Sequence, residues 1–243
     1  MSDFTQDDLV EATERAVQTL LASTRVTAPP VDAVRLIQAG FGYRILEDDS
    51  GDGEPKQYGD KPKLRARRGE LVFTPAHNAT QRQSLAARAC AKELAGSVLQ
   101  SLGIVQGTEQ RGAANQLAAF IAPRLMLPTK WFTTAARKSN SDLLRLREQF
   151  PTVAYEWIAG RLLDLEDFCV IAVVDDGTVS SRKSNFMQAT KKLTAAEERC
   201  AQLVQEREDP QTVRADGWTS RGWPIPTGPF NRIVLRSTPD DVY

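Results

Sequence analysis

The stretch "TQRQSLAARACAKELAGSVL", from Thr80 to Leu99, has the spacing of an amphipathic helix and organises the sequence around it. Its apolar residues recur every three or four positions, so they share one face of a helix, and that face is predicted to be buried. The residues of this stripe are Leu85, Ala91, Leu94, Val98 and Leu102. Thr80, with Gln83 three residues later, is the predicted N-terminal cap.

Helical patterns and short strands flank this stretch on both sides. Residues 4–23 have helical periodicity. Pro29, Pro30 and Asp32 suit a loop that leads into a second helix, which Gly40 is predicted to end. A later amphipathic segment has Ser141 as its predicted cap. The alternating stretches "GYRILED" and "ELVFTP" predict two short strands. The first two thirds of the chain are therefore expected to be a helical body with a small sheet.

The last third of the chain is richer in β-forming residues. Two apolar runs surround Asp175-Asp176-Gly177, which is a strong signal for a hairpin. A short helix, "TAAEERCAQLVQERE", and two further strands, "WTSRGWPIP" and "FNRIVLRS", follow. The predicted fold class is α+β, with a helical core and a β-rich C-terminal extension packed on it. The predicted boundaries are an N-terminal helix in 1–27, a central domain in 28–165 and the extension in 166–243.

Composition excludes several classes of protein. The 243 residues carry 31 basic and 31 acidic side chains, so the zero net charge gives no global case for nucleic acid or an anionic membrane. The three cysteines are far apart and form no CxxC pair, which argues against a disulfide scaffold or a cysteine zinc site. The acidic N-terminus lacks the apolar core of a signal peptide, and a cytoplasmic protein is expected.

Few residues are candidates for chemistry. The chain has a single histidine, His77, so a site that needs two histidines cannot form within one chain. Cys90 could serve as a nucleophile with His77 as its base, but an inert buried thiol is the favoured interpretation. His77 is expected to hydrogen-bond the backbone of its loop. Glu109 and Asp142 are isolated acids and are predicted to lie on the surface.

A basic cluster and two tryptophans are the candidate partner contacts. The cluster could meet a phosphate or an acidic partner, although such clusters are more often solvated. Trp218 and Trp223 flank Arg221, and this pattern can grip a partner or simply pack within the C-terminal sheet. The cluster contains Lys61, Lys63, Arg65, Arg67 and Arg68. The candidate contacts are Arg65, Arg67, Arg68, Trp218 and Trp223.

The order of these elements and several motifs resemble the ImmA/IrrE family of zinc metallopeptidase-like proteins. "PPVDAVRLIQAGFGYRILED" is similar to the family's opening, and "GELVFTPAHNATQRQSLAARACAKEL" to its strand and motif helix. "ANQLAAFIAPRLMLPTKWF" and "DLLRLREQFPTVAYEWIAGRLLDL" resemble the helices that follow, and "CVIAVVDDGTVSSRKSN" resembles a C-terminal extension of some members. The resemblance spans most of residues 28–240.

This resemblance implies a zincin-like core and a known type of chemistry. In active members, two histidines of an HExxH motif bind Zn²⁺, and the intervening glutamate activates the metal-bound water. An acidic residue from the next helix is the third protein ligand. Active relatives cut helix-turn-helix repressors and so release the genes these repressors control.

The present sequence departs from the family at every one of these positions. Alignment on Arg82 places the two histidines on Ala87 and Ala91 and the catalytic glutamate on Arg88. A register shifted by two residues places the histidines on Ala89 and Glu93, and no register restores the motif. The third ligand falls on Leu117 or, with a different anchor, on Ala113. Alanine and leucine have no donor atom, so neither zinc nor another cofactor is expected.

The sequence therefore predicts a catalytically inactive pseudopeptidase that acts by binding a protein, such as a helix-turn-helix repressor, in gene regulation or in the control of stress responses or mobile elements. The alternatives are an active zinc endopeptidase that cleaves such a repressor, and a DNA-associated module that uses the basic cluster and the tryptophans. No membrane partner is predicted, and the sequence leaves the oligomeric state open.

Overall fold

The computed structural model describes residues 5–48, 69–104, 111–227 and 230–240. These residues form an α+β fold, with helices and a two-stranded sheet followed by a five-stranded antiparallel sheet, which confirms the predicted fold class. The chain divides into two compact units. The first comprises Met1–Thr134 and Gln149–Val153, and the second comprises Ala135–Glu148 and Ala154–Tyr243.

The first unit is built around the long helix predicted from the opening stretch. Its elements are α1 (Gln6–Ser23), α2 (Ala33–Phe41), β1 (Arg44–Glu47), β2 (Glu70–Phe73), α3 (Ala79–Ser101) and α4 (Arg111–Met126), and α5 (Thr129–Ser139) begins in it. Strands β1 and β2 pair in parallel, with Arg44 opposite Glu70. Helix α3 packs against α1, α2 and α4. Its predicted stripe is buried at four positions and half-buried at Leu102.

The N-terminal cap of α3 is Asn78, and the prediction of Thr80 is wrong. The Asn78 side chain accepts a hydrogen bond from the Gln81 backbone at 2.9 Å, and the Gln81 side chain accepts one from the Asn78 backbone at 2.8 Å. The sequence "NATQRQ" contains two overlapping capping boxes, and the earlier one forms. The Gln83 side chain is thereby available to bind α2. It accepts a hydrogen bond from the Ala33 N–H, at the start of α2, at 2.7 Å.

Helix α2 begins directly after Asp32, which caps it, and it continues past Gly40, its predicted end, to a C-terminal cap at Gly42. Gly42 has a φ of 70°, a left-handed conformation that glycine adopts without steric cost. Gly40 has a different role, since a Cβ atom there would lie 2.6 Å from the Leu20 Cδ1 atom. The first glycine therefore allows close packing with α1, and the second ends the helix.

The second unit is a five-stranded antiparallel sheet with helices. Its main elements are α6 (Leu143–Gln149), α7 (Tyr155–Leu162), β3 (Val170–Asp175), β4 (Thr178–Ser184), α8 (Ala195–Arg207), β5 (Gln211–Ala215), β6 (Trp218–Thr227) and β7 (Phe230–Pro239). The strand order is β4-β3-β7-β6-β5. Helix α8 covers one face, and the cluster between them includes Ala172, Val174, Cys200, Val204, Ile233 and Leu235. Apolar burial thus holds this unit together.

Two Asp-Gly turns connect neighbouring strands of this sheet. The predicted hairpin of β3 and β4 is confirmed, and its turn residues Asp176 and Gly177 both have positive φ. A second turn of the same kind, at Asp216 and Gly217, joins β5 to β6. Positive φ at both central residues is what a two-residue turn needs to match the twist of its strands.

The other face of the sheet is fastened by ion pairs. Three arginines on β6 and β7 bind carboxylates from the helical segments of the same unit, namely Arg221 with Asp142, Arg232 with Glu156, and Arg236 with Glu166. Arg232 also binds Asp175 on the neighbouring strand β3 at 2.6 Å. These pairs fix where the segments around α6 and α7 lie on the sheet.

Candidate functional site

The helix positions that the resemblance assigns to zinc ligands lie in the apolar interior of the first unit. Ala87 and Ala91 on α3 have no solvent exposure, whereas Arg88 is exposed. The Arg88 side chain is therefore on the solvent side of the helix, away from the buried alanines. In this register α3 presents methyl groups where a metal site would present donor atoms.

Helix α2 is held against this part of α3 by polar contacts. Gln83 accepts from the Ala33 backbone and donates to Asp32 Oδ1 at 2.9 Å. The Cys90 thiol donates to the Ala33 carbonyl, with an S···O distance of 3.8 Å. These contacts join the N-terminal end of α2 to two residues of α3, Gln83 and Cys90, so this part of α3 serves as a packing surface.

The candidate third ligand is also apolar. Leu117 on α4 is 7% exposed. The Ala113 side chain lies outside the described part of the structure. In the shifted register, Glu93 lies on the surface and accepts a hydrogen bond from the Tyr43 hydroxyl at 2.5 Å. Within residues 5–48, 69–104, 111–227 and 230–240, no three His, Cys, Asp or Glu side chains form a group able to hold a metal ion.

His77 lies in the loop before α3, where its ring is engaged by the backbone. The Thr74 N–H donates to His77 Nδ1 at 3.0 Å, which confirms the expected loop interaction. Arg82 donates to the His77 carbonyl, stacks 5.0 Å from the Phe73 ring and forms two hydrogen bonds with Glu47. Burial and the Arg82 charge lower the pKa of His77 below its ordinary value, with Glu47 opposing them. These contacts of His77 and Arg82 therefore hold the loop that precedes α3 in place.

The lowered pKa of His77 predicts a loss of stability in mild acid. The folded chain binds this proton less readily than the unfolded chain, so protonation favours unfolding as pH falls below the unfolded value of 6.5. Between about pH 7.5 and about pH 5.5, the free energy of unfolding should fall more for the wild type than for His77→Asn. Asparagine can accept from Thr74 without titrating. Equal pH dependence of the two proteins would contradict this assignment.

Each of the three cysteine thiols is free and buried. Burial raises the pKa of Cys90 and of Cys169 to about 12, and that of Cys200 to about 11. A thiol with such a pKa is almost entirely protonated at neutral pH and is a poor nucleophile. Cys90 and His77 also have different partners, so the candidate nucleophile–base pair is not formed in the structure.

The native protein should therefore resist thiol reagents. With an aromatic disulfide reagent at neutral pH, we expect no rapid labelling of the folded chain and three labelled thiols per chain in denaturant. Counting the released chromophore in both conditions provides the comparison. One thiol that reacts at once in the folded chain would show a reactive cysteine.

The two tryptophans flanking Arg221 have different surroundings. Trp223 is 1% exposed and packs in the interior of the second unit, with the Arg221 guanidinium 5.1 Å from its ring. Trp218 is half-buried and stacks on Phe186, with ring centroids 6.2 Å apart. Packing in the interior therefore accounts for the tryptophan at position 223, whereas Trp218 is partly accessible at the surface of the unit. The basic cluster, including Arg65, Arg67 and Arg68, lies outside the described residues.

Asp142 is buried, and the prediction that it lies on the surface is wrong. It is 9% exposed and binds Arg221, and its Oδ2 atom is 3.5 Å from the Trp223 indole nitrogen. Its Oδ1 atom accepts from the Arg145 N–H at 3.0 Å, so Asp142 caps α6 in place of the predicted Ser141. Its partners on β6 are 79 and 81 residues away in sequence, which is why local pattern did not reveal them. Glu109 lies outside the described residues.

Phe168, Phe186 and Met187 form a surface feature that sequence reasoning missed. Their exposures are 40%, 39% and 38%, and the Phe168 and Phe186 rings meet edge to face at 5.3 Å. With Trp218 they form what is called here the aromatic patch. Its only sequence signal is the dipeptide Phe186-Met187 in an otherwise polar loop.

Comparison with known proteins shows a fold relationship. No family model matches the sequence, and no curated protein sequence matches it. A solved structure of a Mycobacterium tuberculosis transcriptional regulator is similar, with a TM-score of 0.68 and 19% sequence identity. The similarity covers 94% of this chain and 76% of the regulator's chain. At this identity the two proteins share a fold. Among the described residues, every helix is too short or too polar to cross a membrane.

Proposed function

We propose that this chain is a divergent ImmA/IrrE-type protein that acts in gene regulation by binding another protein, without zinc-dependent peptide hydrolysis. The observation that carries the proposal is the chemistry of three assigned ligand positions. Ala87, Ala91 and Leu117 are apolar and buried, and none of them has an atom that can bind a metal.

Loss of the ligands would remove the reaction as well as the metal. In a zinc peptidase the ion lowers the pKa of the attacking water, and a glutamate receives its proton. Here the assigned glutamate position is Arg88, an exposed cation that cannot act as a base at neutral pH. Because neither a metal ligand nor a base occupies these assigned positions, the role proposed for the scaffold is binding.

The fold relationship supports a regulatory role for this binding. The similar Mycobacterium tuberculosis protein is described as a transcriptional regulator. The resemblance to ImmA/IrrE proteins points to a partner of the helix-turn-helix repressor type, because active relatives cut such repressors. We infer that this chain sequesters or positions a regulator of that kind and leaves it intact.

A capture experiment followed by an incubation tests the proposal. The chain is tagged in its native cell, cross-linked, and its partners are identified by mass spectrometry. We expect a helix-turn-helix regulator among the stoichiometric partners. The purified regulator is then incubated with the chain, with added zinc and with a chelator, and it should stay intact in both.

Two results would overturn the proposal. Cleavage of the regulator that requires zinc and stops with the chelator would establish the active endopeptidase. Recovery of nucleic acid in place of a protein, with affinity that falls steeply as salt rises, would favour the DNA-associated module.

A further inference from the structure

The aromatic patch lies at one end of the C-terminal sheet, where several strand ends meet. Val170 at the start of β3 pairs with Ser184 at the end of β4 and with Ser237 on β7. Ser237 also pairs with Ser220, two residues after Trp218. The segments just outside β3 and β4 carry Phe168, Phe186 and Met187, and β6 begins at Trp218. This arrangement explains why side chains far apart in sequence form one surface.

Specific hydrogen bonds hold two of these segments together. The Asn185 side chain donates to the carbonyls of Leu163 and Glu166 and accepts from the Cys169 N–H at 2.9 Å. The Ser184 hydroxyl accepts from the backbone N–H groups of Phe186 and Met187, each at 3.2 Å. The loop that exposes Phe186 and Met187 is therefore fixed at its base.

Phe168 is presented to solvent at a conformational cost. Its φ is 55°, in the left-handed region, where a residue with a bulky side chain is disfavoured. Such strain persists where the surrounding structure imposes it. The strained backbone places a phenyl ring that is 40% exposed, so it contributes little to the interior. This combination is typical of a binding surface.

The charged residues close in sequence to the patch differ in sign from one of its segments to another. No acidic residue occurs between Asp176 and Glu197, and this stretch contains Phe186 and Met187. Arg182 is neutralised by Glu197, whereas Lys191 and Lys192 are exposed. Asp167 directly precedes Phe168, and Asp216 lies two residues before Trp218. Both of these acids are also exposed. A continuous polyanion such as nucleic acid would be repelled by these acids.

We propose that the aromatic patch binds a peptide segment of a partner protein, with apolar side chains that contact Phe168, Phe186, Met187 and Trp218 and acidic side chains that meet Lys191 and Lys192. Exposed aromatic residues and methionine are enriched among the anchors of protein interfaces, and the lysines supply charge complementarity. This inference rests on the proposed function, the binding of a protein partner, and assigns a surface to it, but it does not depend on whether α3 holds a metal.

Selection from a random peptide library tests the surface without knowledge of the partner. The full-length chain is used to select from 16-residue peptides displayed on phage. We expect enriched peptides that combine aliphatic or aromatic residues with Asp or Glu. A synthetic consensus peptide should bind the wild type, and Phe186→Ser/Met187→Ser should weaken its Kd at least about tenfold, as expected for the loss of interface anchors. Leu46→Ser is the matched control, since Leu46 is 39% exposed in the first unit.

A second variant keeps the proposal falsifiable if the first misfolds. Lys191→Glu/Lys192→Glu changes only exposed side chains. It should bind the acidic consensus peptide more weakly than the wild type does, and it should bind a peptide with lysine in place of the acidic residues more tightly. Failure to enrich any motif, enrichment of basic peptides, or equal binding by the patch variants and the wild type would overturn the proposal. Tighter binding of a thymidine oligonucleotide than of the peptide would overturn it as well. Neither variant changes a residue of α3 or α4, so this test is independent of the proposed loss of the metal site.

Discussion

Replacing Arg182 with methionine should lower the free energy of unfolding by about 3–5 kcal/mol, the range measured when one member of a buried ion pair is removed. The Arg182 and Glu197 side chains are 2% and 0% exposed, and their closest N···O distance is 3.1 Å. Arg182 also donates to the Thr190 carbonyl, and Glu197 accepts from the Thr194 N–H at the start of α8. The substitution therefore leaves a carboxylate buried without its cation.

A double-mutant cycle separates the ion pair from general damage to packing. Glu197→Gln removes the charge but can still accept from Thr194, so Arg182→Met/Glu197→Gln should be more stable than Arg182→Met by about 1–2 kcal/mol. Arg15→Met is the matched control: its pair with Glu11 is exposed, and such pairs contribute about 0.5 kcal/mol or less. Chemical denaturation followed by circular dichroism gives each value. Strictly additive effects would show that the pair is not coupled.

Gly222→Ala should destabilise the second unit by about 1–3 kcal/mol, the usual cost of forcing an extra methyl group into a packed core. A Cβ atom at Gly222 would lie 2.8 Å from Leu235 Cδ2, 2.9 Å from Val204 Cγ2 and 3.0 Å from Cys200 Sγ. These three atoms belong to β7 and α8, which must move away from Gly222 on β6 to make room for the methyl group. The midpoint of thermal or chemical denaturation measures the loss.

The matched control has the opposite expected sign. Gly160 lies within α7, and among the described residues no atom outside its chain neighbours and the nearby helix backbone would lie within 4 Å of a Cβ atom placed there. Gly160→Ala should therefore stabilise the protein by about 0.5–1 kcal/mol through helix propensity alone. If both substitutions stabilise the protein, α8 does not pack on β6 as closely as described.

The features that depend on local pattern were predictable from the sequence. The α3 stripe, the loop that leads into α2 and the Asp176-Gly177 turn each depend on residues within a few positions of one another. The same rule would have predicted the hairpin at Asp216-Gly217, where strand β5 was not expected. That dipeptide was present in the sequence, but its flanking strand is short and polar.

Other features depend on contacts between residues far apart in sequence. Asp142 is buried because its partners Arg221 and Trp223 reach it from a distant strand. The aromatic patch depends on strand register and on the hydrogen bonds of Asn185, neither of which leaves a periodic signal. Overlapping motifs also mislead, since both Asn78 and Thr80 could cap α3 and only the fold selects between them.

The zinc content of the purified chain tests the proposed loss of the metal site most directly. The protein is produced in zinc-supplemented medium, purified without a histidine tag or a chelator, desalted and measured by mass spectrometry of its metals. We predict far less than one zinc per chain, and the same melting temperature with and without a chelator. One zinc per chain that survives desalting, and whose removal by a chelator lowers the melting temperature, would contradict the proposal that α3 is a packing helix without a metal site.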